Sequence, residues 1–215
     1  MASIAGFHSL PTDVRSLPLL VALLLLPIPL WSWLKPLLEN GKELKLYKRG
    51  LKKIKNNPNV LNGLLIKSRK IETSTDGLGI SFMNKGAKYN LIKVCNPYCG
   101  PCAKAHPVLD ELLLQGKVNL QVLFTVSTDE GDRRNKPVKH FLALDEMDKE
   151  QAHKAMDNWY LAKEKDYEQF AKAYELNGEL LQQDDKIMAM QEWCKAEKIT
   201  QTPTIFINGY ELPKE

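Results

Sequence analysis

The chain has 215 residues, of which 44% are hydrophobic and 26% charged, so it is long and apolar enough for one domain with a core and an additional segment. Its four cysteines are too few for the dense disulfide frameworks of small secreted domains. Residues 35–70 carry 11 Lys or Arg and 2 Glu, whereas residues 71–215 carry 18 basic and 23 acidic residues. The net charge of +4 therefore comes from residues 35–70, and it gives no reason to expect nucleic-acid binding by the folded part.

Residues 1–16 are predicted to form a loop or an N-terminal tail, and an apolar run follows them. From Leu17 to Leu34 the sequence is uncharged, and two tryptophans near its end stand where a membrane helix would meet the bilayer interface. Two prolines would kink this helix. A cleaved signal peptide is disfavoured because one basic residue precedes the run and no small-residue cleavage site follows it. We therefore predict a transmembrane helix at residues 17–36 that anchors the protein in a lipid bilayer.

Residues 37–59 are interpreted as a basic juxtamembrane linker. Leu44, Tyr47, Leu51 and Ile54 lie on one helical face, so this segment is either an amphipathic helix on an anionic membrane surface or a solvated spacer. The positive-inside rule applied to its bases would place the linker in the cytoplasm.

A folded domain is predicted for residues 60–215. It begins with a short strand near residues 79–82, and a second strand starts at Asn90 and breaks at Asn96 and Pro97. The residues from 103 to 114 are mostly helix formers whose apolar positions keep helical spacing. The sequence between this strand and this helix is Cys99-Gly-Pro-Cys102.

The two cysteines are therefore predicted to lie at a strand-to-helix turn. Cys99 is placed at the helix N-terminus, where unpaired backbone N–H groups and the helix dipole stabilise a thiolate. Gly100 allows a tight turn, and Pro101 has no N–H to leave unpaired in the first turn. Cys102 lies one turn behind, where its thiol can resolve a mixed disulfide formed by Cys99.

Two metal-based interpretations of these cysteines remain open at this point. Cys99, Cys102 and His106 could be three zinc ligands, although structural zinc needs a fourth and no second pair is visible in the sequence. Cys95, Cys99 and Cys102 have the spacing of the iron–sulfur motif of radical S-adenosylmethionine enzymes. That family usually has an aromatic residue where Pro101 stands, and it needs a longer barrel than this chain supplies.

A strand and a block of helices follow the motif helix. Residues 118–126 alternate in polarity and then become apolar, which is typical of a buried parallel strand. Breaks near Asp148, Asp166 and Gly178 divide the following helical insertion, at about residues 136–198. The predicted helices cover residues 137–147, 149–162, 166–176 and 184–197.

The run from Thr202 and Pro203 to Gly209 reads Thr-Pro-Thr-Ile-Phe-Ile-Asn-Gly. With Cys99-Gly-Pro-Cys102 it resembles the thioredoxin superfamily, in which a threonine, valine or isoleucine precedes a cis-proline that opens a strand facing the cysteines. The helical insertion resembles the DsbA-like branch of this superfamily. The resemblance implies an α/β, thioredoxin-like fold with that insertion.

The same resemblance implies a protein thiol–disulfide oxidoreductase in which Cys99 and Cys102 are catalytic. Gly100, Pro101, Thr202 and Pro203 would contact the substrate, which would be a cysteine-containing client protein. No cofactor is implied beyond the redox-active disulfide. A catalytically idle binding domain tethered to another membrane protein is the alternative.

The apolar anchor followed by this domain resembles the C-terminal part of bacterial fusions between a vitamin K epoxide reductase-like membrane domain and a thioredoxin-like domain. This resemblance implies a quinone-linked membrane partner and a redox domain on the periplasmic or extracytoplasmic side, against the positive-inside rule. The Gly-Pro pair between the cysteines resembles that of thioredoxin itself, which implies a reducing or isomerising poise, whereas a quinone-linked partner would keep the site oxidised.

The chain departs from the family at several positions. Lys93 stands where the family often has a buried acid, and it is predicted to point to solvent, although near the site it would favour a thiolate. Cys95 and Cys194 are predicted to be buried free thiols, and His106 a surface or packing residue. The strand and helix that normally follow the cis-proline strand are predicted to be missing, which would leave that strand with an open edge.

Overall fold

The computed structural model describes residues 57–213 and seven residues between positions 25 and 35, which lie in a helix and are exposed. These seven are Leu25, Pro27, Ile28, Pro29, Trp31, Trp33 and Lys35. Most of the predicted transmembrane helix, and the predicted linker up to residue 56, lie outside the described residues. Among the residues that are described, no helix is long and apolar enough to cross a bilayer.

The chain divides into two compact units, residues 1–61 and residues 62–215. The second unit contains the predicted redox domain. The described elements in chain order are α1 (Pro58–Lys67), β1 (Ile80–Phe82), β2 (Tyr89–Cys95), α2 (Gly100–Leu114), β3 (Val118–Phe124), α3 (Asn135–Met147), α4 (Lys149–Leu161), α5 (Tyr167–Ala173), a 3₁₀ helix (Glu179–Gln182), α6 (Asp184–Ala196), β4 (Thr204–Ile207) and β5 (Tyr210–Glu211).

The strands form one five-stranded sheet in the order β1-β3-β2-β4-β5. The two central strands, β2 and β3, run parallel, with Leu91 opposite Leu120, while β1 and β4 are antiparallel to their neighbours. The last five residues of β2 are all buried, as expected of a strand covered on both faces. The carboxyl end of this buried strand leads directly to the two cysteines.

The helical insertion has the predicted number of main helices, with small differences at their ends. Asp148 and Asp166 cap α4 and α5 by accepting hydrogen bonds from backbone N–H groups of the first turn. The helix predicted to reach residue 176 ends at Ala173, because the carbonyl of Tyr174 pairs with Nε2 of His140. A tertiary hydrogen bond therefore ends the helix earlier than its sequence indicates.

The insertion is joined to the sheet by an aromatic cluster. Phe124 at the end of β3 stacks on Phe141 of α3, and Phe141 packs edge-on against Trp159 of α4 and Phe170 of α5. The indole N–H of Trp159 donates to the carbonyl of Pro97 at 2.8 Å. Phe141, Trp159 and Phe170 are therefore part of the core, and Trp159 also fixes the loop that precedes Cys99.

The predicted open edge beside β4 is wrong, because β5 pairs with β4 in antiparallel register, with Ile207 opposite Tyr210. The outer side of β5 contacts the segment before β1: Ile71 N–H donates to the carbonyl of Gly209, and Glu211 N–H donates to the carbonyl of Arg69. Asn208 and Gly209, both with positive φ, form the two-residue turn between β4 and β5. An Asn-Gly pair between strands is a local signal for a hairpin, and the prediction of an open edge overlooked it.

A buried carboxylate fixes the same segment to the end of α6. Glu197 is only 4% exposed, and its Oε1 accepts hydrogen bonds from the backbone N–H groups of Glu72 and Thr73 and from the Thr73 hydroxyl, at 2.7–2.9 Å. Arg69 pairs with Oε2 at 3.3 Å. Burial raises the pKa of this carboxyl, but the bonds to Thr73 and Glu72 and the charge of Arg69 outweigh burial and lower it.

Replacing Glu197 with Gln should lower the free energy of unfolding by about 2 kcal/mol at pH 7, because a charged acceptor of several bonds is lost. Because the pKa is lowered in the folded state, this contribution is present above the unfolded value of about 4.3 and is lost as pH falls through the folded pKa. Urea unfolding of wild type and variant at pH 7 and at pH 3 measures the difference in unfolding free energy and its dependence on pH. A difference between wild type and variant that is as large at pH 3 as at pH 7 would contradict the ionic role.

Candidate functional site

Cys99 occupies the N-cap position of α2, with φ −82° and ψ 116°, as the sequence predicts. Its Sγ accepts a hydrogen bond from the backbone N–H of Cys102 at 3.3 Å. The strand ends at Cys95, and the carbonyl of Asn96 accepts from the N–H of Cys99, which closes the turn. Cys99 is partly exposed, so its sulfur is both stabilised by the helix end and accessible to a reactant.

Cys102 is fully buried one helical turn behind Cys99. Burial raises the pKa of its thiol to about 12, with a further rise from the hydrogen bond with Cys99, while a hydrogen bond from the Asn96 backbone opposes the increase. The two thiols of the motif therefore differ in exposure. The outer sulfur can meet a substrate, and the inner sulfur is kept protonated until it is needed.

Thr202 and Pro203 lie directly beside the cysteines, although more than a hundred residues separate them in sequence. The thiol of Cys99 donates to the carbonyl of Thr202 at 3.3 Å, a separation of 103 residues. The Thr202–Pro203 peptide bond is cis, as predicted. Pairing of β4 with β2, with Val94 opposite Thr204, brings this turn to the carboxyl end of β2.

Gly100 and Pro101 form the first turn of α2, and both are exposed. A Cβ added at Gly100 would meet no atom within 4 Å, and its φ is not positive. The turn at Gly100 therefore does not require the conformational freedom of glycine. The small residue instead leaves open space next to the half-exposed Cys99.

The prediction for Lys93 is wrong, and of the two roles predicted for His106 the structure shows the packing role, against the Tyr160 ring. Lys93 is completely buried, and its Nζ lies 3.3 Å from Nδ1 of His106 instead of pointing to solvent. His106 is 3% exposed, and its Nε2 lies 2.6 Å from Oδ1 of Asp157. A lysine inside the short apolar run of β2 was the sequence signal for this arrangement. Nothing in the sequence pointed to Asp157 as its partner.

Cys95 and Cys194 are buried free thiols, as predicted. The Tyr160 hydroxyl donates to Sγ of Cys95 at 3.1 Å, and burial raises the pKa of both thiols, that of Cys194 to about 11. Both ring nitrogens of His106 contact side chains other than the cysteines. The zinc interpretation, which used His106 as a ligand, is therefore not favoured by the site. The iron–sulfur interpretation is not favoured by the family and fold comparisons given below.

Comparison with known protein families finds one family that matches most of the second unit. A family model described as thioredoxin matches residues 79–215, which include both cysteines and the Thr202–Pro203 turn. A comparison with curated protein sequences found no match.

Solved structures with a similar fold include several bacterial redox proteins. BdbD from Bacillus subtilis, in its oxidised form, matches with a TM-score of 0.54 and 12% identity over 68% of this chain and 90% of that chain. The thiol-disulfide exchange protein alpha-DsbA2 from Wolbachia pipientis matches with a TM-score of 0.51 and 17% identity, over 65% and 82%. The catalytic domain of Proteus mirabilis ScsC matches with a TM-score of 0.52 and 18% identity, over 64% and 81%. These similarities confirm a mixed α/β, DsbA-like fold with a helical insertion.

Proposed function

The chain belongs to the thioredoxin family, and on this premise we propose that it is a protein thiol–disulfide oxidoreductase that uses Cys99 and Cys102 as its redox pair. The observation that carries the proposal is the pairing of a half-exposed sulfur at a helix N-cap with a buried sulfur one turn behind it. The outer sulfur also contacts the carbonyl that precedes β4. This arrangement separates an attacking thiol from a resolving thiol.

Exchange proceeds in two balanced steps. The Cys99 thiolate attacks one sulfur of a substrate disulfide, the substrate S–S bond breaks, and the leaving sulfur departs as a thiolate that takes a proton from solvent. Cys102 then loses its proton to solvent and attacks Sγ of Cys99, which breaks the mixed disulfide and releases the second substrate thiolate. The protein dithiol is oxidised to a disulfide, and the substrate disulfide is reduced to two thiols. A substrate dithiol reacts through the same steps in reverse.

The environment of Cys99 supports a polypeptide substrate. Gly100 and Pro101, which follow Cys99, are exposed, and the carbonyl of Thr202 lies 3.3 Å from the Cys99 sulfur. An extended peptide could pair with the backbone of Thr202 while its sulfur reaches Cys99, in the manner of an added strand. We therefore propose cysteine-containing client proteins as substrates.

The cellular setting of this activity is proposed from the sequence and from the resemblance to known fusions. One protein of similar fold is a periplasmic thioredoxin-like protein from Salmonella enterica serovar Typhimurium, which supports a redox domain outside the cytoplasm. The uncharged run from Leu17 to Leu34 supports a membrane anchor. A vitamin K epoxide reductase-like, quinone-linked membrane domain is the electron partner that we propose. Alkaline extraction of membranes tests the anchor, because an anchored chain should stay in the pellet.

Thiol counting on the full chain tests the proposed activity. Of the four cysteines, two should be reactive in the denatured protein after mild oxidation, and four after treatment with dithiothreitol. The same protein should catalyse reduction of a disulfide-linked fluorescent peptide, and Cys99→Ser should lower the turnover at least about a hundredfold because the attacking thiolate is gone. Four reactive thiols before and after reduction, with no turnover, would refute the proposed function.

A further inference from the structure

Two helices each carry a histidine and an aspartate at the same spacing. His106 and Asp110 are four residues apart on α2, and His153 and Asp157 are four residues apart on α4. Residues at this spacing are neighbours on the surface of a helix. Each helix therefore presents one imidazole and one carboxylate on the same face.

The two faces meet, and each histidine contacts the aspartate of the other helix. Nε2 of His106 lies 2.6 Å from Oδ1 of Asp157, and Nε2 of His153 lies 2.5 Å from Oδ1 of Asp110. The ligand atoms of Asp110, His153 and Asp157 all lie within 4.8 Å of one another. Three side chains of the kinds that bind metal ions therefore converge between α2 and α4.

The distances between these three ligand atoms are close to those that a small divalent ion requires. Zinc binds imidazole nitrogen and carboxylate oxygen at about 2.0–2.2 Å, so two ligand atoms on a tetrahedral ion lie about 3.3–3.6 Å apart. The nitrogen of His153 and the oxygen of Asp110 must therefore separate by about 1 Å to admit the ion. The ion would take the place of the hydrogen that these two atoms share.

Charge and ligand type indicate which ion fits. Asp110 and Asp157 bring two carboxylates close together at partly buried positions, which is unfavourable unless positive charge lies between them. A divalent cation would neutralise both. Imidazole nitrogen suits zinc and the neighbouring transition metals, whereas magnesium and calcium prefer oxygen ligands. One imidazole with two carboxylates therefore favours a transition-metal ion.

Neighbouring side chains hold the ligands in place and leave a path to solvent. His106 is 3% exposed, and its contact with Asp157 fixes the orientation of that carboxylate. The centre of the Phe82 ring lies 5.0 Å from that of the His153 imidazole. Metal ligands in proteins are commonly fixed by such a second layer of contacts. His153 also lines an open cavity of about 530 Å³ beside β1, through which an ion can enter.

We propose that Asp110, His153 and Asp157 form a binding site for a divalent transition-metal ion, which joins α2 to the helical insertion. His106 is a positioning residue for Asp157, and water fills the fourth position of the ion. No cysteine belongs to this site. It is therefore separate from the dithiol and goes beyond the proposed function.

Zinc titration by calorimetry tests the site in the full chain carrying Cys99→Ala and Cys102→Ala, the parent protein, which lacks the motif thiols that could also bind zinc. The expected result is one ion per chain, and Asp110→Asn and Asp157→Asn should each weaken binding at least about thirtyfold. Asparagine keeps an oxygen that can accept a hydrogen bond from the facing imidazole, so α2 and α4 should stay packed. Zinc should also raise the thermal unfolding midpoint of the parent protein more than that of either aspartate variant.

Glu111→Gln is the matched control. Glu111 is the exposed acid next to Asp110 on α2, and its Oε1 accepts a hydrogen bond from Nε2 of Gln115 at 2.8 Å. Its zinc affinity should stay within about twofold of the parent protein, because an exposed charge outside the site is screened. Absence of zinc binding by the parent protein, or equal losses in Glu111→Gln and Asp110→Asn, would overturn the proposal. The two histidine–aspartate contacts would then be structural hydrogen bonds only.

A measurement on the parent protein covers the case in which the aspartate variants do not fold. Zinc should shift the imidazole nitrogen resonances of His153 and His106 more than those of His140, whose Nε2 contacts the carbonyl of Tyr174. Absent shifts, or shifts confined to His140 or to His8, would overturn the proposal. Because the parent protein has neither motif cysteine, each outcome is independent of the proposed function.

Discussion

At neutral pH, iodoacetamide should modify Cys99 of the reduced protein at least about a hundred times faster than any other cysteine. Only the thiolate reacts, and Cys99 combines partial exposure with a helix N-cap position. Burial raises the pKa of Cys102 to about 12 and that of Cys194 to about 11, so both are almost entirely protonated at pH 7. Mass spectrometry of peptides after timed quenching gives the separate rates.

Cys99→Ser is the control for this experiment, because the fast phase should disappear while the slow labelling of the other three cysteines remains. Labelling should also be repeated in denaturant, where the four thiols should react at similar rates. A fast phase at Cys194 in the native wild-type protein would contradict the assignment of the attacking thiol.

Cys102→Ala should convert a transient complex into a stable one. With the resolving thiol absent, the mixed disulfide between Cys99 and a client has no internal nucleophile to release it. The mixed-disulfide complexes, detected on non-reducing gels, should persist at least about a hundred times longer than those of the wild-type protein, and dithiothreitol should reduce them. The other two cysteines cannot substitute, because both are buried and Cys95 is held by the Tyr160 hydroxyl.

The double variant Cys99→Ala/Cys102→Ala should trap nothing, because the attacking thiol is also absent. Cys194→Ala in the Cys102→Ala background should trap the same complexes as Cys102→Ala alone. Complexes that persist in the double variant would assign the attacking sulfur to another cysteine, and rapid release from Cys102→Ala would remove Cys102 from the resolving role.

The region around the two cysteines could be predicted from sequence because its signals are local. The break at Asn96 and Pro97 ends β2, and Pro101 together with the helix formers that follow starts α2. The Thr202–Pro203 turn was predicted from a motif whose residues are consecutive. The contact of this turn with Cys99 depends on how the strands pair in the sheet. The family resemblance predicts that pairing, whereas composition alone does not.

The environment of Lys93 could not be predicted because its partners come from separate elements. A charged residue in a strand normally indicates a solvent-facing side chain, since lysine is rarely fully buried unless it is paired. Here Lys93 contacts His106 on α2, and His106 contacts Asp157, which lies on α4, 51 residues after His106. For β5 the hairpin turn at Asn208 and Gly209 is a local signal, and only its outer partners, Arg69 and Ile71, come from a distant segment. Local pattern cannot show which distant segments meet.

The placement of Thr202 on a strand 103 residues after Cys99 also has a consequence for biosynthesis. At translation rates of about 5–20 residues per second, both motif cysteines leave the ribosome roughly 5 to 20 s before the strand that completes their surroundings. During that interval the nascent chain has β2 and α2, but no β4 against which to close the site. The thiols of the growing chain are therefore open to any oxidant or disulfide present until β4 has been synthesised and has paired with β2.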